Sequence, residues 1–541
     1  MARTSPETFD YVIVGAGSAG ALLAARLAER DGVTVCVLEA GPKDSNPFIG
    51  IPAGFLKVIF DPKLTWGFTT EPGEHIDGRT VPALQGHVVG GSAAINGMVY
   101  TRGQADDFNG WAQLGNRGWG YADVLPYFMK TERRTDGGGD EGYRGRSGKL
   151  PIVDLHWKNP LLDRFFEAAG AIGIPRNRDF NGKAQEGAGT YQYNIGRGKR
   201  VNTARAFLKD GIKTGRIDLR TGARATRVLF DGTVATGIEY VFERGGTASR
   251  VHARREVILC SGALNTPRLL QVSGIGAPAL LGALNVPVVS ALPGVGENLR
   301  DHFTPRTVVR VKGAPTINDY ARGPKLIGQG VRWLTGRPSV VGIGVVLGHA
   351  FWKSDPALDR ADILITFTPG SFKEGFLGVL DDQPGMTLGA WQLRPESSGY
   401  VRARSTDVFE TPAVQPNYLA SQNDRRVLLA GQKMIRELLA QPALARHVAQ
   451  EVIPGSAVQS DDELMAYARR QGLGGYHYCG TAKMGPASDP MAVVDDKLRV
   501  RGVQRLRVVD ASIMPDIPSG NTNAPTMMIA EKAADLILQA G

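Results

Sequence analysis

The sequence predicts an α/β fold, α+β overall, on three observations. A strand-like run at 9–14 passes into Gly15-Ala16-Gly17-Ser18-Ala19-Gly20 and then into a helix-like run from 21 to about 30. Further on, short runs rich in β-branched and aromatic residues recur, as at 361–367 and 399–403, in the alternation of half-buried antiparallel strands. Finally, 541 residues with 69 glycines and 42% hydrophobics are too many for one core and too apolar for disorder. A Rossmann-like dinucleotide-binding domain and a second domain, an antiparallel sheet with helices, follow from these.

The N-terminal elements each have a physical reason. Residues 9–14 are mostly apolar and β-branched, as a buried parallel strand is. Gly15 permits the tight turn, Gly17 lets backbone approach a pyrophosphate, and Gly20 lets helix and strand pack closely. Ser18 and Ala19 lead into the helix, whose N-terminal free N–H groups favour phosphate, and Leu22, Leu23 and Leu27 form its buried side. A second strand at 33–38 ends at Glu39 and Ala40, and Gly41-Pro42 stops it. Glu39 lies 19 residues beyond Gly20, where a carboxylate accepts from a ribose diol and repels a 2′-phosphate. A bare glycine motif is weak; strand, helix and acid together are specific. They do not separate FAD from NAD.

Composition removes other classes. The formal charge is +10, but the basic residues are scattered and form no stripe with interleaved aromatics, so nucleic acid is not an expected partner. Three cysteines make neither a disulfide framework nor a spaced metal site, and Cys36 and Cys260 sit in strand-like runs as core residues. No apolar run reaches transmembrane length and no signal-like region precedes the first strand, so a cytoplasmic protein is expected.

Four more segments narrow the reading. Gly86-His87-Val88-Val89-Gly90-Gly91-Ser92-Ala93-Ala94-Ile95-Asn96-Gly97-Met98-Val99 is glycine-rich, as a backbone lying against a flat ligand must be. Ser261-Gly262-Ala263-Leu264-Asn265-Thr266-Pro267-Arg268 follows a strand, Gly294-Val295-Gly296-Glu297-Asn298-Leu299-Arg300-Asp301-His302 comes next, and Arg507-Val508-Val509-Asp510-Ala511-Ser512 precedes the last helix. With the fingerprint, in this order from about 9 to 540, they resemble the glucose–methanol–choline oxidoreductase family of FAD-dependent alcohol oxidases and dehydrogenases. The resemblance implies FAD with Gly15, Gly17, Ser18, Ala19 and Gly20 at the pyrophosphate, and Glu39 and Ala40 at the adenosine ribose. It implies Val89, Gly91 and Ser92 as further contacts, Asn96, Gly97, Met98 and Val99 along the isoalloxazine, Asp510 and Ala511 at the ribityl–pyrophosphate region, and Ala225 near the adenine. Three positions depart from the family pattern: His87 stands for a frequent Arg or Lys, Ala93 for a frequent Ser, and Ile95 for the His that tethers flavin in some members. FAD is therefore expected to be non-covalent.

Alcohol oxidation needs the hydroxyl proton removed as hydride leaves the carbon. Among eight histidines, the family motif at 475–485 selects His477 as that base. In Ser519-Gly520-Asn521-Thr522-Asn523-Ala524-Pro525-Thr526 the resemblance assigns Asn523 to the substrate oxygen; N-capping is its alternative role. Tyr476 is the favoured pocket residue and His349 a second, whereas Trp352, Phe367 and Trp391 read as core aromatics. The cofactor domain is expected at 1–150, 215–305 and 470–541, the substrate domain at 151–214 and 306–469, and a mobile loop at 133–147. The expected reaction is oxidation of a small primary, aromatic or furanic alcohol, with oxygen or a quinone-type acceptor taking the electrons. A choline or aliphatic-alcohol dehydrogenase, and a lyase of the same fold with structural FAD, are the alternatives.

Overall fold

Two sheets organise the chain, and the computed structural model describes residues 7–136, 138–344, 346–373 and 378–540 of it. The first elements are β1 (Thr8–Val14), α1 (Ser18–Ala28) and β2 (Val35–Glu39). β1 is buried from Phe9 onward and β2 throughout, which is why both read as unbroken apolar runs. β3 (Gly187–Thr190) joins the second sheet. The chain then returns through β4 (Ile217–Thr221), β5 (Arg224–Asp231), β6 (Val234–Val241) and β7 (Ser249–Leu259).

The second sheet continues with β8 (Arg306–Val311), followed by helix α2 (Gly323–Leu334), then β9 (Gly348–Trp352), β10 (Ile363–Thr368) and β11 (Gly385–Gln392). Helix α3 (Gln422–Ala440) and β12 (Val448–Ile453) complete it. Last come β13 (Leu506–Val508) and α4 (Asn523–Ala540).

The first sheet runs β4-β2-β1-β7-β6-β5, with β13 against the far half of β7. β4, β2, β1, β7 and β13 are mutually parallel, and β5–β6 is an antiparallel hairpin added at one edge. The second sheet runs β12-β8-β11-β10-β9-β3 with every pairing antiparallel. Each has its own apolar core: α1 and α4 pack on the first, while α3 covers the second with Val427, Ile435, Leu438 and Leu439. The expected run at 399–403 is a strand, Gly399–Arg402, but it pairs with Glu297–Leu299 and Ala413–Gln415 in a separate sheet. Alternation specifies a strand, not its neighbour.

Of the segment 133–147, expected as a mobile loop, residue 137 lies outside the described residues and the part at Arg144 is anchored. Arg144 is buried and its guanidinium bonds Glu132 at 2.8 Å and Asp179 at 2.5 Å, while Arg102 pairs with Glu132 from the other side. Its glycines gave a loop signal; the arginine among them supplies the anchor. Among the described residues no helix is long and apolar enough to cross a membrane.

Candidate active site

β1, β2 and β7 all end at one crevice, where ligands of open parallel sheets sit. It opens into a cavity of about 420 Å³. Of the residues expected at the cofactor, Gly15, Gly17, Ser18, Ala19, Glu39, Ala40, Gly91, Ser92, Asn96, Gly97, Met98, Val99, Ala225, Asp510 and Ala511 line it. Gly20 and Val89 do not. A Cβ on Gly20 would lie 1.9 Å from the Gly15 carbonyl oxygen, so Gly20 serves the close turn, and Val89 is buried with its N–H on Pro42 O.

The cradle suits an extended dinucleotide. A Cβ on Gly91 would stand 2.8 Å from Gly17 Cα, so bare backbone from two segments meets at the phosphate-binding turn. The first residues of two helices, Ser18 of α1 and Asn523 of α4, meet there through Ser18 Oγ donating to Asn523 Oδ1 at 2.7 Å. Both helix N-termini thus present positive partial charge to the cavity. Glu39 accepts from Ala16 N and Gly41 N, both at 2.8 Å, and burial pushes its carboxyl up to about 7. Asp510 accepts from Gly262 N, Thr266 Oγ1 and the backbone and hydroxyl of Ser512, which ties the strand ends together. Asn96 Oδ1 accepts from Met98 N, supporting the left-handed Met98 (φ 63°).

At the cavity's other end stands His477. Its Nδ1 lies 2.9 Å from His302 Nδ1, and its Nε2 lies 2.7 Å from Asn521 Nδ2. His302 Nε2 is 2.9 Å from the Leu393 carbonyl oxygen, an acceptor, so this nitrogen carries the proton. His302 Nδ1 is then a lone pair, His477 Nδ1 donates to it, and His477 Nε2 is left as the basic atom. Thr101 Oγ1 donates to Asn521 Oδ1 at 3.4 Å, which turns the Asn521 amide N–H toward that lone pair. Burial, then the neighbouring His302, hold His477 well below the usual histidine range, and burial pushes His302 down to about 4. Both rings are neutral at neutral pH.

The backbone that carries His477 is held by Asp301. Its carboxylate accepts from His477 N at 2.6 Å, Tyr476 N at 3.3 Å and Tyr418 Oη at 2.6 Å. These bonds secure Tyr476 in the left-handed region (φ 63°), and burial pushes Asp301 up to about 7. Tyr476 lines the cavity as expected.

Two expectations are corrected, and two further residues prove to belong to the site. Asn523 does not face His477: its side chain bonds Ser18, and the amide at the base is that of Asn521. His349 is no pocket residue but is buried among Phe180, Tyr191 and Phe351, outside the cavity. Trp391 packs against the second core as expected but also lines the cavity, with its ring 5.4 Å from His477 and stacked 5.5 Å from His302. His302, given no role from the sequence, contributes the partner of His477 Nδ1. The Asp301-His302 pair was visible beside the Asn298-Leu299-Arg300 run, and a histidine next to an acid was the only signal for it. Phe367 and Trp352 lie in or against the second core, as expected.

Residues 9–304 and 395–530 match the two family models described as GMC oxidoreductase. The chain is 39% identical to the alcohol dehydrogenase [acceptor] of Pseudomonas putida, covering 98% of this chain and 96% of that one. It is 40% identical to human mitochondrial choline dehydrogenase over 98% and 90%. Among solved structures it resembles pyridoxine 4-oxidase of Mesorbium loti, with TM-score 0.87, 31% identity, and 97% and 98% of the two chains covered.

Proposed function

The chain belongs to the GMC oxidoreductase family, an FAD-dependent family acting on alcohols, and from that premise we propose that it oxidises a small primary aromatic or furanic alcohol to the aldehyde. Bound FAD supplies a hydride acceptor. The chain's own residues do the rest. The unprotonated Nε2 of His477, which accepts from the Asn521 amide at 2.7 Å, takes the hydroxyl proton once an alcohol oxygen enters between the two, and the released Asn521 N–H then orients the developing alkoxide. His302 keeps the receiving nitrogen free, and the buried walls exclude bulk water.

The observation that carries the substrate class is the wall beside the base. Trp391 and Tyr476 present aromatic surface next to His477, and Arg306 is the charged side chain lining that end. The cavity's carboxylates among the described residues, Glu39 and Asp510, stand at the cofactor end and are engaged by protein donors. A quaternary ammonium alcohol needs a carboxylate or an aromatic cage around its cation, and a guanidinium opposes it. The likeness to human choline dehydrogenase favours choline as the second reading; Arg306 weighs against it. The likeness to pyridoxine 4-oxidase supports an aromatic primary alcohol.

The test is the flavin spectrum under anaerobic conditions with benzyl alcohol and, separately, choline. Bleaching by benzyl alcohol alone is expected; bleaching by choline alone transfers the reading to choline. Admitting air then identifies oxygen as the acceptor if colour returns at once, and a quinone-type acceptor if it does not.

A further inference from the structure

Helix α2 turns its apolar side outward. Leu326, Gly330 and Leu334 make one row along it, and Ile327 and Val331 the adjacent row, as residues four apart do. Leu326 is 42% exposed, Val331 56%, Ile327 72% and Leu334 77%, and none of the twelve residues is buried. Its inward side is instead polar: Gln329 Oε1 accepts from Val340 N, and Trp333 Nε1 donates to Gly198 O at 2.7 Å. Three glycines, Gly323, Gly328 and Gly330, weaken such a helix in water, so its stability calls for something that covers the stripe.

The charge around the stripe is predominantly positive, with its few acids already paired. Residues 320–342 hold Arg322, Lys325, Arg332 and Arg337 and no acid. The adjoining stretches 194–205 and 45–60 add the exposed Arg197, Lys199 and Lys57, whereas Arg200 is buried on backbone carbonyls and Arg205 is paired with Asp44. The nearby Asp381 and Asp382 are neutralised by Arg310, Arg322 and Lys373.

The same face carries the mouth of the active-site cavity. Pro52–Gly54 packs on Val340–Gly342, the turn that follows α2. Arg322, just before α2, donates to Leu380 O, and Gly378 lies against the ring of Phe60. Phe60 is exposed and lines the cavity with Leu56 and Ile59, so stripe, cations and opening are continuous.

We propose that this face docks on an anionic lipid surface. Leu326, Ile327, Val331 and Leu334 enter the boundary between headgroups and acyl chains, α2 lies in the plane of the interface, and the lysine and arginine side chains reach anionic headgroups. The protein sits on the bilayer without crossing it, and the cavity mouth is held where apolar molecules dissolved in lipid can enter. A second copy pairing this face with itself would set cations against cations with no carboxylate from these segments between them.

The experiment sediments the FAD-loaded full chain with vesicles of phosphatidylcholine alone or mixed with phosphatidylglycerol. Strong binding to the anionic vesicles, weakened by salt and weaker on the neutral ones, is expected. Ile327→Glu/Leu334→Glu should lose at least about tenfold in partitioning while keeping its flavin and its turnover with a water-soluble acceptor. If that variant loses its flavin, Lys325→Gln/Arg332→Gln carries the test, and it must bind anionic vesicles at least about fivefold more weakly. Wild-type protein left in the supernatant with both vesicles overturns the proposal, as does undiminished binding by the folded variants. A dimer that the Glu variant abolishes, without vesicle binding, would make a second copy the occupant.

Discussion

His302 and His477 face each other through their Nδ1 atoms, 2.9 Å apart, and the Leu393 carbonyl behind His302 decides which of the two carries the shared proton. A single backbone carbonyl thereby sets the tautomer of a side chain two residues removed from it in the hydrogen-bond chain. The basic nitrogen is selected by geometry, independently of pH.

His302→Ala is expected to lower the rate of alcohol-dependent flavin bleaching about 10–100-fold with FAD still bound. His302→Asn, which offers His477 an amide oxygen in place of the ring nitrogen, should recover part of that loss. Stopped-flow bleaching rates check this; equal defects in the two variants would mean that His302 only fills space.

Asn521 and Asn523 make opposite predictions. Asn521→Ala should reduce bleaching about 100-fold while leaving FAD content intact, because it removes the donor aimed at the reacting oxygen. Asn523→Ala should shed FAD on dialysis, yet the fraction that stays loaded should turn over normally. The ratio of flavin to protein absorbance, read beside the rate, separates them.

The pH profile has a definite sign. In the proposed reaction His477 is the neutral base, and burial followed by His302 depresses its pKa below the ordinary 6.5. Protonation that would switch it off therefore sets in only below that value, so kcat/KM should stay flat from about pH 8 down to about pH 6. An acid limb centred at 6.5 or higher would remove the base from this desolvated setting.

Glu39→Ala should weaken FAD retention more than it slows loaded enzyme. The substitution also strands the N–H groups of Ala16 and Gly41, at about 1–3 kcal/mol for each buried unpaired group. Dissociation constants for FAD from fluorescence titration of apoprotein test it.

Glu132 holds two buried guanidiniums, those of Arg102 and Arg144. Glu132→Ala should cost about 3–5 kcal/mol of stability, read from the urea midpoint, since both buried cations lose their shared partner. A midpoint within error of the wild type would show that the cluster relaxes toward solvent.

Much of the cofactor half was legible because its information is local. Gly15, Gly17, Ser18 and Glu39 lie within one βαβ stretch, and spacing alone puts them at one crevice. The catalytic end is assembled from afar. His302, Trp391, His477 and Asn521 come from four separated segments, and no periodicity relates them. The choice between Asn521 and Asn523 turned on the conformation of Gly520 (φ 141°), where a Cβ would stand 2.4 Å from Thr101 Cγ2. Motif matching could bring the asparagine pair to the site, but not say which amide meets the base. His349 misled for the converse reason: a histidine in a strand beside the pocket is equally at home in an aromatic core.

The hydrogen bond from Ser18 to Asn523 joins residues 505 positions apart. A ribosome makes the nucleotide-binding turn some 505 residues before the cradle can be closed. During translation, then, the βαβ unit waits with part of its phosphate site missing, and flavin capture awaits residue 523. Nascent chains arrested before residue 523 should remain colourless even where their first sheet has formed.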